Sequence, residues 1–179
     1  MKNTLHINLW AGPGTGKSGL SGLLYGKLKE THIDCELVRE YAKELYWEGK
    51  LKETEQLIIS TEQYKRELLI EGKNDVAIID TSLLSGILHC PETYRQNLTD
   101  ILFTLTKSWN MKHYFIERNL NSPYEHNGRR HTLSQSLELD NQILDFFRLH
   151  NIKYTTIKIE NALEYILEDI KNNLITAKS

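Results

Sequence analysis

Apolar positions along the chain follow two periods, one of short strands and one of amphipathic helices. Leu5 to Ala11 alternates and predicts a first strand. Ser18 to Glu30 predicts a helix with Leu20, Leu23, Leu24 and Leu28 on one side. Cys35 to Val38 predicts a second strand, and Tyr41 to about Gly49 a short helix that Gly49 stops. Glu53 to Glu71 predicts a longer helix with Leu57, Ile58, Thr61, Tyr64 and Leu68 at helical spacing, closed by Gly72. Val76 to Ile79 is a continuous apolar run ending in Asp80, the pattern of a strand buried on both faces. Helical segments at about Ser82 to His89 and Glu92 to Trp109 lead to a fourth strand at His113 to Ile116. Leu120 to His131 has Asn, Pro, Gly and Arg without apolar period and reads as a loop. Ser134 to His150 predicts a helix and Tyr154 to Ile159 a fifth strand. The last helix is expected to open at Asn161, with Glu164 as capping-box partner and Leu163, Ile166, Leu167, Ile170 and Leu174 on one face.

Five strands alternating with helices predict an α/β fold, a parallel sheet with helices on both faces. The chain has 179 residues and shows no repeat, low-complexity tract or interdomain linker, so a single domain over 1–179 is expected. With 40% hydrophobic and 26% charged residues it has the composition of a globular protein. A net charge of −2 gives no general case for nucleic-acid binding. Cys35 and Cys90 are too few for a disulfide framework or a four-cysteine zinc site, and are expected to be reduced and buried. No stretch has the length of a membrane span or the pattern of a signal peptide, so a cytoplasmic location is expected.

The chemistry begins between the first strand and the first helix. Ala11-Gly12-Pro13-Gly14-Thr15-Gly16-Lys17-Ser18 fits the P-loop pattern, with Ala in place of its usual first Gly. Glycines let successive backbone N–H groups turn inward around phosphates, and the helix that follows adds its positive end. The expected nucleotide-binding residues are Gly12, Pro13, Gly14, Thr15, Gly16, Lys17, Ser18 and Gly19. Lys17 is expected on the β- and γ-phosphates of ATP, and the Ser18 hydroxyl on Mg²⁺. The fold expected is therefore the three-layer one of P-loop NTPases.

A P-loop does not name the reaction. No guanine-reading Asn-Lys-x-Asp tetrad occurs, and Asp80 is followed by Thr81-Ser82 rather than by the Glu with which motor ATPases polarise water. Both absences favour transfer to a bound hydroxyl. Asp80, at the carboxyl end of a strand, is placed to hold Mg²⁺ or to orient the acceptor, or else to cap a helix. Glu40, at the end of the second strand, is the candidate base for an acceptor hydroxyl; a solvated or capping role is the alternative. Tyr41 and Trp47 could stack on a planar base or belong to the core, and Arg66 could face the acceptor or solvent. The segment from about 118 to 133 holds Arg118, Arg129 and Arg130 beside Gly128 and reads as a lid. Its arginines would close over the phosphates, with Arg129 catalytic and Arg118 on the nucleotide. His126 and His131 in the same segment read as surface residues.

Asn8 to Ser18, Arg39 to Glu44, Ile79-Asp80-Thr81 and Asn127-Gly128-Arg129 resemble the nicotinamide riboside kinase domain of bifunctional NAD-biosynthesis regulators. They are more similar still to small phage-encoded P-loop proteins related to that domain, and the similarity runs to about Tyr154. The resemblance implies an adenylate-kinase-like core, Glu40 near the acceptor and a lid carrying Arg129. The partner adenylyltransferase domain of the bifunctional proteins has no counterpart in this sequence. Some of the phage relatives phosphorylate the hydroxymethyl group of 5-hydroxymethyluracil in DNA, which would place the protein in the host cytoplasm. For a DNA acceptor, Arg118, Arg129 and Arg130 with Lys43, Lys50 and Lys52 would supply the basic surface. The expectation is a kinase acting on a nucleoside, nucleotide or related molecule, or on modified DNA. A nucleotide-dependent regulatory binding module is the alternative of another class. No protein partner and no membrane are indicated.

Overall fold

A computed structural model describes residues 2–120 and 132–176. The five strands are β1 (Leu5–Trp10), β2 (Cys35–Val38), β3 (Val76–Ile79), β4 (Asn110–Glu117) and β5 (Thr155–Lys158). They form one sheet in the order β2-β3-β1-β4-β5, and every pairing is parallel. The six α-helices are α1 (Lys17–Glu30), α2 (Tyr41–Trp47), α3 (Gln56–Leu68), α4 (Glu92–Thr106), α5 (Leu133–Leu149) and α6 (Ile159–Thr176). The helical segment expected after Asp80 is a 3₁₀ helix over Leu83–His89.

Strand β1 is central and buried on both faces, and its period-two alternation sorts two different cores. Leu5, Ile7 and Leu9 pack with Leu20, Leu24 and Leu28 of α1 and with Ala162, Ile166 and Ile170 of α6. Trp10 faces the other way, among Leu98 and Leu102 of α4 and Ile143, Phe146 and Phe147 of α5. Its indole N–H donates to His113 Nδ1 at 3.0 Å, and burial pushes the His113 pKa down to about 4, so the ring stays a neutral acceptor at neutral pH. Each large apolar side chain removed from water here contributes about 1.5–3 kcal/mol. Both cysteines are buried free thiols, as the sequence indicated.

Three sequence expectations need correction. Helix α6 opens at Ile159, directly after β5, so Asn161 lies inside the helix and not at its cap. Leu23 is 56% exposed and takes no part in the α1 core face. Helix α3 is turned about its axis from the expected orientation: Leu57, Ile58 and Leu68 are exposed, while Ile59, Ser60, Gln63 and Glu67 are buried. The reason is a tie to a neighbouring element. Gln63 accepts the backbone N–H of Tyr41 at 3.0 Å and donates to Glu67 at 3.3 Å, which ties this polar stripe to the start of α2. Among the described residues no helix is long and apolar enough to cross a membrane.

Candidate active site

The chain leaves β1 towards β2 and β3 and later returns to β4 and β5 on the other side. The carboxyl end of β1 is thus the switch point at which open α/β sheets bind ligands. The loop following β1 lies there. Gly14 (φ 86°) and Gly16 (φ 100°) take left-handed conformations that turn backbone N–H groups to one side. The Thr15 hydroxyl donates to Gly12 O at 2.8 Å and tightens the turn. Gly16 caps α1 with no side-chain hydrogen bond, which leaves the first N–H groups of the helix to an anion. A Cβ built on Gly19, in that first turn, would meet open space.

Lys17 Nζ donates to Ala11 O at 2.6 Å, so the amine curls back over the loop it would share with a phosphate. Burial pushes its pKa down, and the nearby carboxylates of Glu40, Asp80 and Asp140 oppose that. Because β3 pairs directly with β1, Asp80 stands beside the start of α1 and accepts the Ser18 hydroxyl at 2.8 Å. Its other oxygen, Oδ1, is buried without a hydrogen-bond partner among the described residues. A buried carboxylate oxygen left bare next to a hydroxyl suits a hydrated divalent cation. Ser18 and Asp80 thus fit Mg²⁺. No group of three or more acidic, His or Cys side chains among the described residues is arranged to hold a metal by itself, so phosphate oxygens and water would complete the shell.

The back of the loop is fixed by Arg118, which the sequence pointed to, and by Asp140, which it did not. Gly12 N–H donates to Asp140 Oδ1 of α5 at 2.5 Å, and Arg118 Nη2 lies 2.7 Å from Asp140 Oδ2. Arg118 also donates to Pro13 O at 3.2 Å. Arg118 therefore stands at the phosphate loop, buried and paired at the end of β4. Asp140 falls mid-helix with no motif around it, so only the fold identifies it. Arg129, Arg130, His126 and His131 lie outside the described residues.

Glu40 caps α2 at the end of β2 and accepts the Thr81 hydroxyl at 3.2 Å. Burial raises its carboxyl pKa, against the pull of the Lys17 ammonium. Its side chain forms one end of a cleft lined by Gln56, Ser60, Gln63, Ser85 and His89. Gly86 keeps the far wall close, since a Cβ there would fall 2.7 Å from Ser60 Oγ. Gln56, Ser60 and Gln63 recur at helical spacing, a polar stripe that was visible in the sequence beside the apolar one. Tyr41 is covered by the Arg66 guanidinium at 4.7 Å, and Arg66 pairs with Glu44 at 2.6 Å. Trp47 is 67% exposed and belongs to no core.

The sequence from residue 6 to 164 matches the family AAA_28, an AAA domain. The chain belongs to that family. Among solved structures, this AAA_28 chain is similar to the NadR protein in complex with NAD and AMP-PNP, with TM-score 0.55 and 15% identity over 88% of the chain. The chain spans 44% of the length of that NadR protein. It is also similar to APE1195, with TM-score 0.49 and 13% identity, covering 96% of this chain and 97% of that one. The APS kinase CysC of Mycobacterium tuberculosis gives TM-score 0.43 and 14% identity, covering 83% and 99%. No curated protein matches the chain by sequence. The five-stranded parallel sheet with its helices is the α/β fold of P-loop NTPases.

Proposed function

We propose that the protein is an ATP- and Mg²⁺-dependent kinase that phosphorylates a hydroxyl of a nucleoside-like acceptor. The observation that carries this reading is the place of Glu40, near Lys17 of the phosphate loop and in the lining of the cleft along α3. An acceptor in that cleft presents its hydroxyl to the one carboxylate that lines it. Glu40 takes the proton as the new O–P bond forms, the bond to the bridging oxygen breaks, and ADP leaves with that electron pair. A raised carboxyl pKa suits a group that must hold a proton transiently. Lys17 and the N–H groups of residues 14–18 hold the phosphates, with Ser18 and Asp80 on the metal. When bound, Mg²⁺ neutralises charge on the phosphates as it shifts towards the leaving group. Arg129 would add charge from the lid.

The cleft also bears on the acceptor. Among the described residues its lining offers amides, hydroxyls and an imidazole beside the apolar Ala42, Ile59 and Leu83, but no Lys or Arg. A phosphorylated acceptor calls for such cations, so the lining favours an unphosphorylated group. The test incubates γ-labelled ATP with nucleosides, nucleotides, and DNA carrying normal or hydroxymethylated pyrimidines. Label on a nucleoside is expected. Label on hydroxymethylated DNA alone would make the protein a DNA kinase, and release of free phosphate with no labelled acceptor would overturn the kinase reading.

A further inference from the structure

Lys43 is the cation that neither the loop nor the lid accounts for. It lies on α2, three residues after Glu40, so the two share a face of the helix start. Its Nζ donates to Ser18 Oγ at 3.0 Å, on the same hydroxyl that donates to Asp80. Among the described residues no carboxylate lies within ion-pair distance of Lys43. The neighbouring basic groups differ: Arg66 pairs with Glu44 and Lys50 with Glu48. An exposed ammonium is thus held by a neutral hydroxyl, at the atom through which Ser18 would meet a metal. Glu40 feels its charge, which helps to hold the carboxyl ionised.

The position is self-displacing. An ammonium hydrogen-bonded to Ser18 cannot stay there when a divalent cation takes the same oxygen, because like charges at that distance repel and the lone pair is claimed. The anion that would arrive with the cation is the triphosphate, and a terminal phosphate held by Lys17 would come near both Lys43 and Glu40, since Lys43 reaches Ser18 and Glu40 feels the charge of Lys17. We propose that Lys43 is a second catalytic lysine, which guards Ser18 in the nucleotide-free protein and moves onto the γ-phosphate when Mg·ATP binds, drawing α2 and Glu40 to the donor. This rests on the kinase reading for the transfer step, but the share of Lys43 in telling ATP from ADP can be measured without any acceptor. In the transfer, Lys43 balances negative charge on the phosphoryl oxygens while the acceptor O–P bond forms, ADP leaves with the electron pair of the broken bond, and the proton goes to Glu40. Lys43 itself neither gains nor loses a proton.

The test is a fluorescence titration of the full chain with ADP and with the β,γ-imido analogue of ATP, each with Mg²⁺, for wild type, Lys43→Ala and Lys43→Arg. Lys43→Ala is expected to bind the ATP analogue about tenfold or more weakly, the loss of one charge-assisted contact, and ADP within about twofold of wild type. Lys43→Arg should recover most of that difference. Turnover of Lys43→Ala with the acceptor found above should fall about 10²-fold. Equal weakening for ADP and the ATP analogue, or no weakening for either, overturns the proposal. If wild type labels no acceptor yet Lys43→Ala still separates the two nucleotides, the kinase reading fails and the γ-phosphate contact stands. A wild-type chain that binds neither nucleotide would end both.

Discussion

Asp140 accepts the backbone N–H of Gly12 at 2.5 Å, across 128 residues of sequence. The contact joins the middle of α5 to the first glycine of the phosphate loop, with Arg118 as the counter-charge. No side chain fits at residue 12. A Cβ there would stand 2.3 Å from Ser136 O and 3.0 Å from both Arg118 Nη2 and Asp140 Oδ1. The loop is therefore shaped as much by the helix behind it as by its own glycines.

Removing one member of this buried pair strands the other. Asp140→Ala is expected to cost about 3–5 kcal/mol in urea unfolding, and Asp140→Ala with Arg118→Met clearly less. Gly12→Ala should cost about 1–3 kcal/mol through overpacking against a backbone oxygen that has little room to yield. If the double variant is as unstable as Asp140→Ala, the two side chains do not act as a pair.

Glu40 carries a pKa raised by burial, so its ionised form is the one the fold disfavours. The sign follows: stability from this group is complete below the unfolded pKa and is lost as pH rises through the folded one. Glu40→Gln should therefore melt higher than wild type at neutral pH, with the gap closing in acid. Turnover should run the other way, falling about 10²–10⁴-fold in Glu40→Gln with nucleotide binding retained. The wild-type rate should fall on the acid side, with a midpoint above that of an ordinary glutamate. Wild-type turnover in Glu40→Gln would remove Glu40 from the mechanism.

Asp80 poses the same conflict at the metal. Its bare, buried Oδ1 does nothing for the nucleotide-free fold, so Asp80→Asn should melt no lower than wild type without nucleotide. The variant should need more Mg²⁺ for half-maximal turnover, because one ligand charge is gone. A Mg²⁺ titration of the rate, paired with melting curves, checks both halves.

His113 gives the fold an acid-sensitive point remote from any chemistry. Its pKa is pushed down to about 4, so the stability it supplies is present above the unfolded value of about 6.5. That stability is lost as pH falls towards 4, when the ring takes a proton that Trp10 Nε1–H cannot accept. His113→Gln keeps an acceptor for the indole and should flatten unfolding free energy over that range. An unchanged pH slope would place the acid sensitivity elsewhere.

Much of this was legible in the chain. The strand–loop–helix order around Lys17 carries its own chemistry, and the run from Val76 to Ile79 could only be a fully buried strand. Ser18 at the start of α1 and Asp80 after β3 were each singled out by motif and strand end, and the fold puts them in hydrogen-bond contact. What periodicity could not give was which face of α3 turns inward. Its apolar residues suggested one answer, but the Tyr41 N–H that Gln63 accepts and the bond from Gln63 to Glu67 decide for the other. The first of these joins segments 22 residues apart and leaves no mark at local spacing. The contacts of Asp140 with Gly12 and of Lys43 with Ser18 were hidden for the same reason, since the topology alone supplies the neighbour.

The inward polar face of α3 has a further consequence. On the proposed function, the acceptor would meet positions 56, 60 and 63 of one helix, apart from the residues proposed for the donor on α1 and β3. Position 63 also holds the start of α2 through the Tyr41 N–H, so it cannot change without loosening that join. Among the described residues, positions 56 and 60 carry no such tie to α2, and substitutions there would reshape the cleft while the phosphate loop stays as it was.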